Sequence, residues 1–328
     1  MPAAGGLDFA YHMVKPQMEA LDRLMSELLA ADTPCVDEML RYAGHYSGKR
    51  LRPALIFVVA DLCGSLQDEL VQLGAVVELI HMATLVHDDV LDQAKIRRNA
   101  DAVNIRWNNK DAILLGDIMF ARAIRLLVDV GNRRALERLT EAVAIICEGE
   151  IHQNQLSGHA DVSEETYFKI IRQKTASLYA ASCELGALLA GAAEDVVGAF
   201  HDFGESLGMA FQIIDDCLDL SGDEDVVGKS LGSDITNGKM TLPLIHLLAR
   251  VGGEDRERIR AIIEDRRAGP QDVEFIRDLL VAHGSIEHAT KRAGEFIETS
   301  LGRLRGLLPA SSFTVVEELA GFVLHRQL

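Results

Sequence analysis

Asp88, Asp89 and Asp92 end the segment from Glu78 to Asp92, and Asp215, Asp216 and Asp219 end the segment from Phe211 to Asp219, both in apolar surroundings. In a helix, residues three or four apart share a face. Glu78, His81, Thr84, Asp88, Asp92 and Lys95 therefore make one polar stripe, with Asp88 and Asp92 one turn apart on it. In the second segment Gln212, one of Asp215 or Asp216, and Asp219 fall on one side, while Ile213, Ile214 and Leu218 cover the rest. A lone DDxxD is commonly just a solvated helix face. Two of them, with no basic residue among the aspartates, repel themselves unless a cation neutralises them. Oxygen ligands without Cys or paired His suit a hard ion, and Mg²⁺ held by a few carboxylates plus substrate phosphates fits that chemistry.

Basic residues supply the complement. Lys49 and Arg52 lie in Gly48-Lys-Arg-Leu-Arg-Pro53, Arg97 and Arg98 follow the first cluster, Lys174 and Thr175 sit together, and Gly228-Lys229 and Gly238-Lys239 flank Asp234. Alone, each would be surface charge. Around two carboxylate clusters, in a chain with 33 basic against 50 acidic residues, they have the makings of clamps for two diphosphates. The stretch Gly44 to Lys49 imitates a phosphate-binding loop but has three residues between its glycines and Arg50 where Ser or Thr must ligate magnesium.

These residues need a scaffold, and proline usage indicates which. No proline occurs in the 189 residues from Ala54 to Leu242, and apolar residues recur there at helical spacing with no strand alternation. Helices are expected near 8–30, 34–46, 51–63, 67–93, 102–129, 132–157, 163–190, 194–219 and 239–250, with several more from 254 onward. No linker interrupts them, so the expectation is one all-α domain over 1–328. The composition, 48% hydrophobic with a net charge of -17, excludes nucleic acid as the main ligand and marks a folded chain. No run of uncharged apolar residues long enough for a transmembrane segment is evident, and Asp8 stands where an export signal would be basic and then apolar. Five widely spaced cysteines without a CxxC pair read as reduced core residues of a cytoplasmic protein.

In order and spacing, GKRLRP, HDDVLDQAKIRR, RQKTASL, FQIIDDCLDL and VGKSLGSDITNGKMTLP resemble the trans-isoprenyl diphosphate synthases, nearest to the long-chain polyprenyl type. The resemblance implies a single helical bundle around a central cavity, a homodimer, and elongation of an allylic diphosphate by isopentenyl diphosphate. It implies Asp88, Asp92 and Asp215 as magnesium ligands, with Asp89, Asp216 and Asp219 supporting them, around a cluster of about three ions. Arg97, Lys174, Lys229 and Lys239 would grip the allylic diphosphate; Lys49, Arg52, His81 and Arg98 would bind isopentenyl diphosphate; Thr175 and Gln212 would line the reacting carbons. Asn99 stands where the family commonly has Gly, and Asn is the residue that best tolerates a left-handed turn.

A growing product would run back along the helix that carries Asp88, past Thr84 about 6 Å away and Ile80 about 12 Å away. Ala83 and Thr84 occupy positions that are often aromatic in short-chain members, so the wall is open and products of the heptaprenyl to decaprenyl class are expected. The alternatives are a farnesyl or geranylgeranyl synthase with a floor at Trp107 or Met119, and a non-catalytic partner subunit that binds prenyl diphosphate. A loose membrane association for product release stands beside the cytoplasmic expectation.

Overall fold

Almost every segment with helical periodicity forms a helix in the computed structural model, which describes residues 4–67, 69–221 and 232–325. In chain order the helices are α1 Ala4–Met13, α2 Lys15–Leu28, α3 Pro34–Ala43, α4 Leu51–Leu62, α5 Glu69–Leu91, α6 Val103–Arg106, α7 Asn109–Val130, α8 Arg133–Leu156, α9 Glu164–Ile171, α10 Ser177–Leu189, α11 Glu194–Ser221, α12 Ser233–Thr236, α13 Leu242–Arg250, α14 Gly253–Asp265, α15 Pro270–Ala282, α16 Ser285–Leu304 and α17 Ala310–Leu324. The fold is all-α. Packing divides it into two units, residues 7–143 with 178–201 and residues 4–6 with 144–177 and 202–325, whose boundaries fall inside α1, α8, α10 and α11.

The first unit is organised by α5. Nearly every residue from Leu70 to Ala83 is buried, against α7, α4 and α2. An 18-residue window of α5 reaches a mean hydropathy of 1.5, enough by length and composition to cross a membrane, although its sequence holds no unbroken apolar run. Two thirds of that window, 67%, is buried inside the fold, so its apolarity is used in protein packing. Helix α4 is buried from Pro53 to Ala60, and α10 lies so close that a Cβ on Gly186 would sit 2.5 Å from the Ile56 carbonyl oxygen. Asn108 caps α7 by accepting the Asp111 amide at 3.0 Å, and Gly131 in the left-handed region closes it.

The second unit packs α12 to α16 around Leu220, Ile235, Leu244, Leu247, Ile259, Ile263, Ile276 and Leu280.

Three departures from periodicity have local causes. The expected helix over 8–30 breaks at Val14, because Pro16 in the first turn of α2 cannot continue a preceding helix. The expected helix over 102–129 is interrupted at Trp107 and Asn108, where Asn108 adopts extended backbone to cap α7. Between α5 and α6 a two-residue antiparallel pair, Ile96–Arg97 with Ala100–Asp101, was not visible as alternation. Its turn residues Arg98 and Asn99 have φ of 52° and 60°, so Asn99 takes the left-handed backbone expected of it. The cysteines need correction too. All five are free, but Cys183 and Cys217 alone are buried, Cys63 is half-buried, and Cys35 and Cys147 are exposed.

Candidate active site

The first aspartate cluster sits in the last turn of α5, and packing separates its members. Asp88 and Asp92 are half-buried, one turn apart. Asp89 is wholly buried. One of its oxygens accepts from Tyr46 Oη at 2.6 Å, and the other accepts from Arg97 Nε at 2.9 Å and Nη2 at 2.5 Å. Tyr46 Oη in turn accepts the Val103 amide at 2.9 Å, and Asn104 donates to the Asp89 carbonyl at 3.3 Å. Asp89 therefore ties the loop after α5 to α5 and to Tyr46. Expected to support the metal residues, it is wholly buried with three donors on its two oxygens. Arg97, expected to grip a diphosphate, has Nε and Nη2 on Asp89, which leaves Nη1 for any ligand.

A basic pocket adjoins this cluster in the same unit. Arg98 packs over Gly48, where an added Cβ would lie 2.3 Å from Arg98 Nη2. Arg52 lies with its guanidinium 4.5 Å from the Tyr179 ring centre. Tyr11 donates to the Lys49 carbonyl, and Arg50, left-handed at φ 49°, pairs with Asp22. Burial, then the positive charges of Arg52, Arg98 and Arg97, holds the His81 imidazole well below the usual range, so it is neutral. Arg52, His81 and Arg98 are thus brought together, with exposed Lys49 beside them in sequence. Sequence reasoning missed Glu78 as a member of this pocket. It is buried at 1% exposure, has one carboxylate oxygen without a hydrogen bond among the described residues, and feels Arg52, Arg50 and Arg98. Burial raises its carboxyl above the usual range while those arginines oppose the rise. Its place on the polar stripe of α5 was the available signal.

Further up α5, Ala83 and Ile80 are buried at 0% and 3% exposure. Thr84 is half-buried and donates its hydroxyl to the His81 carbonyl at 2.7 Å. Trp107 packs edge-on against Tyr42, with ring centres 5.3 Å apart.

In the second unit the same sorting recurs on α11. Asp215 is half-buried; Asp216 and Asp219 are buried. Asp216 accepts from Tyr167 Oη at 2.6 Å and from Gln212 Nε2 at 2.8 Å. Gln212 Oε1 accepts from Thr175 Oγ1 at 2.7 Å, so a chain of three hydrogen bonds runs from Tyr167 through Asp216 and Gln212 to Thr175. Asp219 accepts Ser233 Oγ at 2.8 Å and the Asp234 amide at 3.1 Å, which fixes α12. Asp216 and Asp219, expected like Asp89 to support the metal residues, are likewise buried with donors on their carboxylates.

Lys174 and Thr175 lie on a π-helical step, Arg172–Ala176, between α9 and α10. Gly149 permits it: a Cβ there would lie 2.8 Å from the Lys174 amide nitrogen. The Lys174 ammonium pairs with Glu150. Lys174, Gln212, Asp216 and Lys239 line one cavity of about 80 Å³ together with Tyr167, Asp234 and Thr241. Lys239 is placed by its amide bonding the Asp234 carbonyl at 2.8 Å, after Gly238 at φ 65°, where a Cβ would meet the Ile263 carbonyl at 2.8 Å. Tyr167 was not foreseen, and Asp234 and Thr241 lay within a quoted motif without a role. Lys229 lies outside the described residues.

Among the described residues no three His, Cys, Asp or Glu side chains converge as an all-protein metal cage. Asp88 and Asp92 in the first unit, and Asp215 in the second, are half-buried carboxylates, each of a kind that suits a hard ion completing its shell with phosphate and water.

The chain matches the polyprenyl synthetase family over residues 33–280. It is 36% identical over 311 residues, 94% of either chain, to the all-trans-nonaprenyl-diphosphate synthase (geranyl-diphosphate specific) of Rhodobacter capsulatus. It is 34% identical over 290 residues, 88% of this chain and 90% of the other, to the octaprenyl diphosphate synthase of Escherichia coli K12. The structure superposes on a polyprenyl synthase from Caulobacter crescentus CB15, complexed with calcium and isoprenyl diphosphate, with a TM-score of 0.93 at 35% identity over 98% of both chains. On the length and identity of these matches, the chain belongs to the polyprenyl synthetase family.

Proposed function

We propose that the protein elongates an allylic diphosphate with isopentenyl diphosphate and releases long-chain polyprenyl diphosphates, acting as a single catalytic domain. The observation that carries the product-length reading is the run of small residues before Asp88: Ala83 is fully buried in α5 and Thr84 keeps its hydroxyl on its own helix. Nothing aromatic projects from these two positions.

In the reaction the allylic carbon–oxygen bond breaks and diphosphate leaves with the electron pair. The isopentenyl alkene forms the new carbon–carbon bond, and a proton is then lost to the departing diphosphate. Asp88, Asp92 and Asp215 would hold Mg²⁺, which neutralises the leaving diphosphate when bound. Lys174, Lys239, Lys229 and the remaining donor of Arg97 bind that diphosphate, while Lys49, Arg52, neutral His81 and Arg98 bind the isopentenyl diphosphate. Thr175 and Gln212, oriented by Asp216 and Tyr167, present fixed dipoles to the reacting carbons. Asp89, Asp216 and Asp219 act through the segments they anchor. No nucleophilic side chain is required.

A homodimer accords with helix α7, which leaves Ile113, Leu114, Ile124 and Val128 exposed at 44–58%, a repeating apolar stripe with a use in a second copy. A cytoplasmic site of action accords with the same scheme. Product chromatography after incubation with magnesium, farnesyl diphosphate and isopentenyl diphosphate tests the whole reading. Wild type should give a long-chain ladder and Ala83→Phe a shorter one. An unchanged ladder removes the wall assignment, and no turnover by wild type removes the enzyme.

A further inference from the structure

A second, separate cavity of about 570 Å³ opens in the second unit, lined by His246 and Arg250 on α13, His283 in the turn after α15, and Glu287, His288 and Lys291 on α16. It shares no lining residue with the cavity that holds Lys174 and Asp216. The depression is shallow: Arg250, His283, Glu287 and Lys291 are exposed, and His246 is buried beneath them. His246, 9% exposed, has one ring nitrogen 2.9 Å from Ser285 Oγ and accepts Arg250 Nε on the other at 3.4 Å. The tautomer is thereby set, with the proton on Nδ1, and Arg250 is held by its Nε with both Nη groups left over. His288 stacks on His246 with ring centres 4.1 Å apart and planes 17° apart, and Glu164 braces its far side at 3.3 Å.

What faces the cavity is positive and unpaired. Among the described residues, Arg250 Nη, Lys291 and the His283 ring have no ion pair or hydrogen bond, in a chain where acidic residues outnumber basic ones 50 to 33 and most arginines are paired. The amino end of α16, a 20-residue helix, borders the same space with no side-chain cap, because its N-cap residue is Gly284 at φ 62°. Glu287 is the one acidic residue of the lining and offsets part of this charge. An Arg fork, a Lys point charge and free helix amides together match a phosphate-type oxyanion better than a carboxylate, which offers fewer oxygens.

We propose that this cavity is a binding site for a free phosphate oxyanion, with inorganic diphosphate the better ligand and phosphate the weaker. The proposal does not depend on which substrates the family site takes. Calorimetric titration of inorganic diphosphate, and separately phosphate, into the full-length protein with chelator in place of magnesium tests it. Binding should weaken at least tenfold in Arg250→Ala/Lys291→Ala and survive in Arg52→Ala/Arg98→Ala, which removes the basic pocket beside α5. Glu287→Lys should tighten it several-fold, a gain that misfolding cannot mimic. Equal affinity in wild type and Arg250→Ala/Lys291→Ala, loss of all binding in Arg52→Ala/Arg98→Ala, or no gain in Glu287→Lys would each overturn the proposal. A failure of prenyl elongation would leave these titrations unaffected.

Discussion

Six aspartates in two identical patterns sit in two different environments, half-buried or buried, and the difference lies in partners far away in sequence. Asp89 meets Tyr46, 43 residues distant, and Asp216 meets Tyr167, 49 residues distant. Spacing located all six; it could not separate the half-buried from the buried, because a carboxylate's burial depends on what packs over it. The distinction is measurable. Asp88→Ala should abolish elongation with an unfolding free energy near that of wild type. Asp89→Ala should lower stability by on the order of 2 kcal/mol, below the full value for a buried pair because Arg97 is 27% exposed, and urea titration of both variants checks it. Gly48 offers a second test. Its missing side chain makes room for the Arg98 guanidinium, a flexible end that yields instead of clashing. Gly48→Ala should therefore raise KM for isopentenyl diphosphate about tenfold, the worth of one charged hydrogen bond, with kcat little changed in steady-state assays. Glu78 was legible only as a polar residue on a stripe; the arginines it faces come from other segments.

Among the elements, helices were the most legible, since a long gap in proline use together with 3.6-residue periodicity admits little else. The boundaries and interruptions were less so. The π step at Arg172–Ala176 carries Lys174 and Thr175, and nothing in RQKTA announces it; Gly149 on a neighbouring helix makes the room. Close helix approach at Gly186 is similar, because the obstacle is backbone. A Cβ 2.5 Å from the Ile56 carbonyl cannot be relieved by a rotamer change, so α4 and α10 must move apart. Gly186→Ala should cost about 1–3 kcal/mol, read as a lower urea midpoint with an unchanged slope. An unaltered midpoint would mean that the two helices slide without loss of packing.

For the whole molecule, the net charge of -17 excludes a polyanion as partner but says nothing of phosphate at particular points. Basic residues gather beside α5, around the small cavity near α11 and at the amino end of α16, each time among acidic residues of the same neighbourhood. The cysteines show the same limit of composition. Their number and spacing indicated free thiols, while exposure follows from the fold. Burial pushes Cys63 up to about 11 and Cys217 up to about 12, and raises Cys183 as well. A chromogenic disulfide reagent on the native protein should therefore titrate exposed Cys35 rapidly, Cys147 more slowly because partial burial and then Glu150 raise its thiol, and the other three only on unfolding. Rapid reaction at Cys183 or Cys217 would contradict the packing of α10 and α11.

The apolarity of α5 has a consequence during synthesis. Its partners α2 and α4 precede it, but α7, its most extensive contact, is complete only at Val130, 39 residues after Leu91. At roughly 5–20 residues per second that gap lasts about 2 to 8 s. Throughout it, a helix of membrane-spanning length and hydropathy emerges with one flank uncovered, and the nascent chain must be kept from lipid and from its neighbours until α7 arrives.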